Sequence, residues 1–266
     1  MMSHLKAVCR PAVRNSSDEK DAVNVSTTAS GRSVPSAGIV AVVGCDGSGK
    51  TRLAKDLALT LRQWRSAERR YMGLVSGETG DKIKQFPLIG TALEAYLAAK
   101  VRRAQDMKKK LPGTFSAVVM YLFSRWRVSQ LRKLKQRAQD GVLIIAERYP
   151  QAEIPGFHYD GPGLSADRAK NRFVHMLALR EQELYDRMAE QVPSLVIRLA
   201  IDADTAFARK SDHPLAELQD KAEALPLIKY NGARILEIDA TQPYDDVLAT
   251  ALRAIERVTP ASGRRR

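Results

Sequence analysis

Only two cysteines occur in 266 residues, Cys9 and Cys45. Two are too few for a disulfide framework, so small secreted scaffolds are excluded and a reducing cytoplasm is the expected compartment. There is no run of about 18 apolar residues, and no transmembrane helix is expected. The opening stretch, Met1-Met2-Ser3-His4-Leu5-Lys6-Ala7-Val8-Cys9-Arg10, lacks an apolar h-region for a signal peptide. Internal repeats, heptads and zinc-ligand spacings are missing too, which argues against solenoids, coiled coils and zinc modules. Acid is in short supply: 30 Asp and Glu face 43 Lys and Arg, a net charge of +13. From Lys100 to Asp140 twelve Lys and Arg stand against two Asp. Such a segment suits an anionic partner, whether phosphate, nucleic acid or acidic membrane, or else is a solvated helix face.

What is present is enough apolar content, 44%, for a globular core. Residues 1–36 are rich in Ser, Thr, Asn, Asp and Arg and read as a disordered extension. From residue 38 onward strand and helix patterns alternate. Strands are expected at 38–43, 69–75, 141–147, 194–202 and 234–239. Helices are expected at 50–66, 90–139 with a break at Leu111-Pro112-Gly113, 165–190, 205–225 with Asp204 as N-cap, and 244–258. Alternation of this kind predicts an α/β fold of three layers, a mostly parallel five-stranded sheet with helices on both faces. The expected organisation is an extension over 1–36, one domain over 37–258 and a basic tail over 259–266.

Gly44-Cys45-Asp46-Gly47-Ser48-Gly49-Lys50-Thr51 has the form G-x-x-x-x-G-K-T, a phosphate-binding loop. Its setting supports the match. An apolar, β-branched run precedes it, and Leu53, Leu57 and Leu61 follow at helical spacing. Glycines let consecutive N–H groups curl round an anion, and the helix N-terminus adds partial positive charge. Lys50 is expected to reach the β- and γ-phosphates of ATP, and the Thr51 hydroxyl to ligate Mg²⁺. A second apolar run, Val142 to Ala146, ends in Glu147-Arg148-Tyr149. In parallel sheets ligands sit at the carboxyl ends of strands. There a carboxylate can hold the Mg²⁺ shell or take an acceptor's proton, and an arginine can clamp a phosphate. A structural ion pair is the plainer alternative. His158 and His175 are not expected to be ligands, and Trp126 is expected to pack rather than stack on a base.

Together these residues resemble the thymidylate kinase-like branch of P-loop kinases over residues 38–258. The loop of that family reads G-x-D/E-G-x-G-K-S/T, and a later strand ends in Asp-Arg-Tyr or Asp-Arg-His. The helix before that strand carries Leu-Phe-x-x-x-Arg, here Leu122-Phe123 to Arg127. Pro193 to Asp202 followed by Ala206-Phe207-Ala208-Arg209-Lys210 looks like the strand leading into an arginine-bearing lid. Ile238 to Val247 resembles the last strand, adenine-side loop and final helix.

The resemblance implies a P-loop kinase fold and transfer of the γ-phosphate of ATP, with Mg²⁺, to a nucleoside monophosphate of the dTMP type. It implies that Gly44, Asp46, Gly47, Ser48, Gly49, Lys50 and Thr51 bind ATP. Thr51 and Glu147 serve the metal, and Asp46 contacts the acceptor's sugar hydroxyl. Arg127 reads the acceptor base, with Arg148 on its phosphate and Tyr149 beside it. Arg209, with Lys210, closes over the phosphoryl group or the adenine. The expected partners are ATP and a small anionic acceptor, with a homodimer left open and nucleic acid disfavoured. The chain also departs from the family. Glu147 stands where Asp is usual, and Glu-Arg also begins the Glu-Arg-Ser motif of deoxynucleoside kinases. The acceptor elements after Tyr149 are replaced by Pro150 to Leu164, and Gly73 to Gly80 lacks Arg-Glu-Pro-Gly-Gly. A nucleoside or phosphosugar acceptor, or nucleotide binding without turnover, stays open on these grounds.

Overall fold

Strand β1 (Ile39–Gly44) has no polar side chain, and all six of its residues are buried. A strand apolar on both sides needs cover on both faces, which suits the interior of a parallel sheet. In this computed structural model, which describes residues 38–73, 114–167, 169, 171–211 and 213–259, β1 lies at the centre of such a sheet. The other strands are β2 (Ala67–Tyr71), β3 (Leu143–Glu147), β4 (Leu195–Ala200) and β5 (Ile235–Asp239). Their spatial order is β2-β3-β1-β4-β5, and every neighbouring pair is parallel.

Six α-helices are described: α1 (Lys50–Leu61), α2 (Thr114–Gln139), α3 (Arg172–Ala189), α4 (Ala203–Arg209), α5 (Leu215–Ala224) and α6 (Tyr244–Val258). The alternation of strand side chains assigns them to two layers. Val40, Val42, Ile145 and Ile197 face Leu53, Leu57 and Leu61 of α1 and Val247, Ala251 and Ile255 of α6. Ala41, Val43, Ile144 and Val196 face Leu131 and Leu134 of α2, Tyr185 and Met188 of α3, and Leu218 of α5. The expected three-layer α/β fold is therefore the observed one. Each of the fully buried Leu and Ile side chains contributes about 1.5–3 kcal/mol.

Outside the sheet, α2 and α3 pack through Ala117, Met120, Val174, Leu177 and Ala178. Glu181 of α3, fully buried, accepts from the Ser124 hydroxyl at 2.5 Å and the Leu164 amide at 2.6 Å. Those bonds offset part of the cost of burying its carboxyl, whose pKa burial raises.

Three boundaries differ from expectation for identifiable reasons. Helix α3 starts at 172, because Asn171 caps it by accepting from the Val174 amide at 2.8 Å. The cap of α4 is Asp202, which accepts from Thr205 N at 2.7 Å, while Asp204 lies inside the first turn. The expected helix 205–225 is two helices. Pro214, which has no N–H to donate, sits at the N-cap of α5 and separates them. The second strand, expected over 69–75, is observed at 67–71; expectations for 1–36, for 74–75, for the helix over 90–113 with its break, and for 260–266 lie outside the described residues. No helix among the described residues is long and apolar enough to cross a membrane.

The topology positions the site. The connection after β1 runs past β3 to β2, while that after β3 runs back past β1 to β4, and a crevice opens at the carboxyl ends where the two part. Val42 of β1 is level with Glu147 of β3. The loop after β1 and the Glu147-Arg148 pair after β3 therefore emerge side by side.

Candidate functional site

The loop from Cys45 to Gly49 joins β1 to α1. Gly47 has φ +88°, and a Cβ there would meet the Ala206 carbonyl oxygen at 2.5 Å. Only glycine permits both that backbone and so close an approach to α4. Gly49 is the N-cap of α1 with φ +86°, and there the backbone alone requires glycine, since a Cβ would meet nothing within 4 Å. The first-turn N–H groups of α1 have no intrahelical acceptors and carry the positive end of the helix dipole. Ser48 is buried, and its Oγ has no hydrogen-bond partner among the described residues. An orphaned buried hydroxyl beside free helix amides is a donor set suited to an anion.

Asp46 is the centre of the charge. Its Oδ1 accepts from Lys50 Nζ at 2.9 Å and from an Arg148 guanidinium nitrogen at 2.5 Å. Its Oδ2 accepts from Lys221 Nζ at 2.8 Å. Burial alone would raise the Asp46 carboxyl, but Lys50, Arg148 and Lys221 outweigh it and hold the group well below the usual carboxylate range. Lys50 also donates to the Cys45 carbonyl at 3.0 Å and is only 6% exposed. Its burial and the Arg148 charge, with Lys221 adding to them, pull its pKa down to about 8 against the opposing pull of Asp46.

Glu147, 1% exposed, joins the loop to β2. Its Oε1 accepts from the Thr51 hydroxyl, and its Oε2 from Arg69 at 2.7 Å. A threonine hydroxyl and one carboxylate make a two-oxygen set. That is the protein share Mg²⁺ ordinarily takes when phosphates and waters fill its remaining positions. No group of three or more His, Cys, Asp or Glu among the described residues could hold a metal by itself.

Among the described residues Arg148 is one of four non-glycine residues with positive φ, at +59°. That backbone costs about 1–2 kcal/mol and is held in place by Arg127. Arg127, 0% exposed, donates to the Arg148 carbonyl at 2.8 Å, to the Asp160 carboxylate at 2.9 Å and carbonyl at 3.2 Å, and to the Tyr185 hydroxyl at 3.3 Å. Asp160 also lies 4.0 Å from the Arg148 guanidinium. Burial works against the Arg127 charge, but Tyr185 and Asp160 overcome it and raise its pKa. Asp160 and Asp46 do the same for Arg148.

The structure thus brings together Asp46, Ser48, Lys50, Thr51, Glu147, Arg148 and, behind them, Arg127. Other expected site residues lie elsewhere. Tyr149 is buried in the core, and its hydroxyl donates to the Gln191 carbonyl at 2.6 Å. Arg209 ends α4 and donates to the Ala240 carbonyl at 2.9 Å, on the β5 side of the crevice. Lys210 is the exposed C-cap of α4. His175 meets the Ala166 carbonyl at 3.1 Å, and His158 packs against Tyr159. Trp126 is half-buried on α2.

Three residues of the group were not foreseen: Lys221, Arg69 and Asp160. Lys221 carried a readable signal. It shares the spacing of Leu218 and Leu225, both buried, and a lysine inside an apolar helical stripe needs an acidic partner. Arg69 and Asp160 carried none, because neither interrupts an apolar stripe that would mark it as needing a partner.

No protein-family model matches the chain. Among curated proteins it is 51% identical over 243 residues to the uncharacterized ATP-binding protein YghR of Escherichia coli strain K12. That match covers 91% of this chain and 96% of YghR. YghR of strain O6:H1 matches equally. The uncharacterized ATP-binding protein YghS of strain K12 is 45% identical over 217 residues, covering 82% of this chain and 92% of YghS.

Proposed function

The chain belongs to the family of ATP-binding proteins that includes YghR and YghS, and from that premise we propose that it is an ATP-dependent phosphotransferase. Lys50, the Ser48 hydroxyl and the α1 amides hold the donor phosphates. Thr51 and Glu147 would hold Mg²⁺, which would supply positive charge beside the phosphoryl group. Arg69 orients Glu147. The catalytic domain is residues 37–258. Phosphoryl transfer asks a protein mainly for positioning and charge stabilisation, and this group offers both.

One observation carries the reading: the end of β3 meets the phosphate loop through two side-chain pairs, Glu147 with Thr51 and Arg148 with Asp46. Binding a nucleotide would need the loop alone. A carboxylate and an arginine brought against it from another strand suit transfer to an acceptor beside the phosphates.

By resemblance the acceptor is a nucleoside monophosphate. A second reading, an unphosphorylated hydroxyl acceptor, is favoured by Asp160. Its carboxylate already bridges Arg127 and Arg148, the two cations assigned to the acceptor, one to its base and the other to its phosphate. The test is a screen of the purified protein for ATP turnover with Mg²⁺ against nucleosides, nucleoside monophosphates and phosphosugars. Turnover dependent on one acceptor class is expected. ATP binding with no turnover on any acceptor would leave a nucleotide-binding regulator in its place.

A further inference from the structure

Lys221 is 3% exposed, and its hydrogen bond among the described residues is to Asp46. Burying an ammonium costs several kcal/mol unless it is fully paired. The pairing here is incomplete. Lys221, Lys50 and Arg148 share the one carboxylate of Asp46. Arg148 has Asp160 as a second acid, whereas the two lysines have only Asp46 among the described residues. A purely structural tie would not need a second buried lysine on a carboxylate that Lys50 and Arg148 already neutralise. The surplus charge lies at the loop whose buried Ser48 hydroxyl has no partner among the described residues, so charge and orphaned donor both call for an anion at the same place.

The element carrying Lys221 has its own link to this loop. Ala206 of α4 lies close enough to Gly47 to exclude any side chain there, and α5 follows α4 through Pro214. The Lys221 ammonium meets one carboxylate oxygen of Asp46 and the Lys50 ammonium the other.

We propose that Lys221 is a phosphate-binding residue of this site, held on Asp46 until a polyphosphate binds and then shared with it. The proposal rests on reading the loop as the seat of ATP phosphates. It assigns to α5 the cation that the sequence placed at Arg209 and Lys210.

The experiment is calorimetric titration of the full chain with inorganic tripolyphosphate. It compares wild type, Lys221→Met and Lys221→Arg, then the Asp46→Asn protein with and without Lys221→Met. Wild type is expected to bind. Lys221→Met is expected to lose about 10- to 150-fold in affinity, the worth of a charge-assisted contact, and Lys221→Arg to recover most of it. The Asp46→Asn pair decides between a phosphate contact and a mere latch. The double variant removes the Lys221–Asp46 pair whole, while Lys50 keeps the Cys45 carbonyl and Arg148 keeps Asp160; circular dichroism checks its fold before titration. If Lys221 meets phosphate, Lys221→Met still weakens binding in the Asp46→Asn background. Loss of that effect there, or unchanged affinity in Lys221→Met with only a shifted melting temperature, would overturn the proposal. Failure of the wild type itself to bind tripolyphosphate would remove the phosphate-site reading, and the proposal with it.

Discussion

The Arg127 guanidinium donates to the main-chain carbonyl of Arg148 at 2.8 Å, so one arginine of the site fixes the left-handed backbone of another. Arg127 is fully buried and spends both terminal nitrogens on protein acceptors. Arg127→Met is therefore expected to cost about 3–5 kcal/mol of stability, the usual penalty for breaking a buried charged pair. Arg127→Lys should recover little, since one ammonium cannot span the same acceptors as a planar fork. Urea denaturation measures both. A loss under about 1 kcal/mol in Arg127→Met would show that the Asp160 and Arg148 contacts are dispensable.

Lys50→Met tests the donor side. In the proposed reaction the lysine is a point charge for the transferring phosphates, and Asp46 keeps Arg148 and Lys221 when it is gone. Turnover is expected to fall by about 100-fold or more, with circular dichroism unchanged. Turnover near that of wild type would sink the kinase reading.

Glu147→Gln tests the metal side. It keeps the shape while weakening the bond from Arg69 and removing the charge near Thr51. The Mg²⁺ concentration for half-maximal turnover should rise about 10- to 100-fold. An unchanged Mg²⁺ dependence would exclude Glu147 from the metal's surroundings.

The donor half of the proposed site is legible in the sequence because its residues are local. Eight consecutive residues carry the loop, and one strand end carries Glu147-Arg148. The acceptor half depends on contacts distant in sequence. Asp160 reaches Arg127 from a turn whose backbone is left-handed at that residue, and no spacing rule announces such a contact. The boundaries of α4 and α5 were readable in principle. Asp202 and Asp204 both precede Thr205, and only the side chain of Asp202 reaches its amide. Pro214 marked the break between α4 and α5, and the apolar spacing on either side of it masked that mark.

Lys50 also sets a pH dependence. Its pKa is pulled down to about 8, so the free protein loses this charge as pH rises through that value. Phosphate beside the ammonium stabilises its charged form. The kcat/KM for ATP, which reports the free protein, should therefore decline above about pH 8. The kcat, which reports the bound form, should hold to higher pH. Parallel profiles for the two, flat to about pH 10, would mean that Lys50 keeps its charge in the free protein.

Arg148→Ala separates the two acceptor readings. In the first, Arg148 clamps an acceptor phosphate while Asp46 meets a hydroxyl. The variant then raises KM or lowers kcat for phosphorylated acceptors, and the KM for ATP moves little. The loss expected for one charge-assisted contact is about 10- to 150-fold. In the second, Asp160 already supplies the anion between Arg127 and Arg148, and Arg148 acts on the transferring group. Then kcat alone falls, by the same factor for every acceptor. Kinetics of Arg148→Ala on a nucleoside and its monophosphate distinguish the cases. A loss confined to the monophosphate supports the clamp. Equal loss on both moves the assignment to a hydroxyl acceptor, with Arg148 on the phosphoryl group in flight.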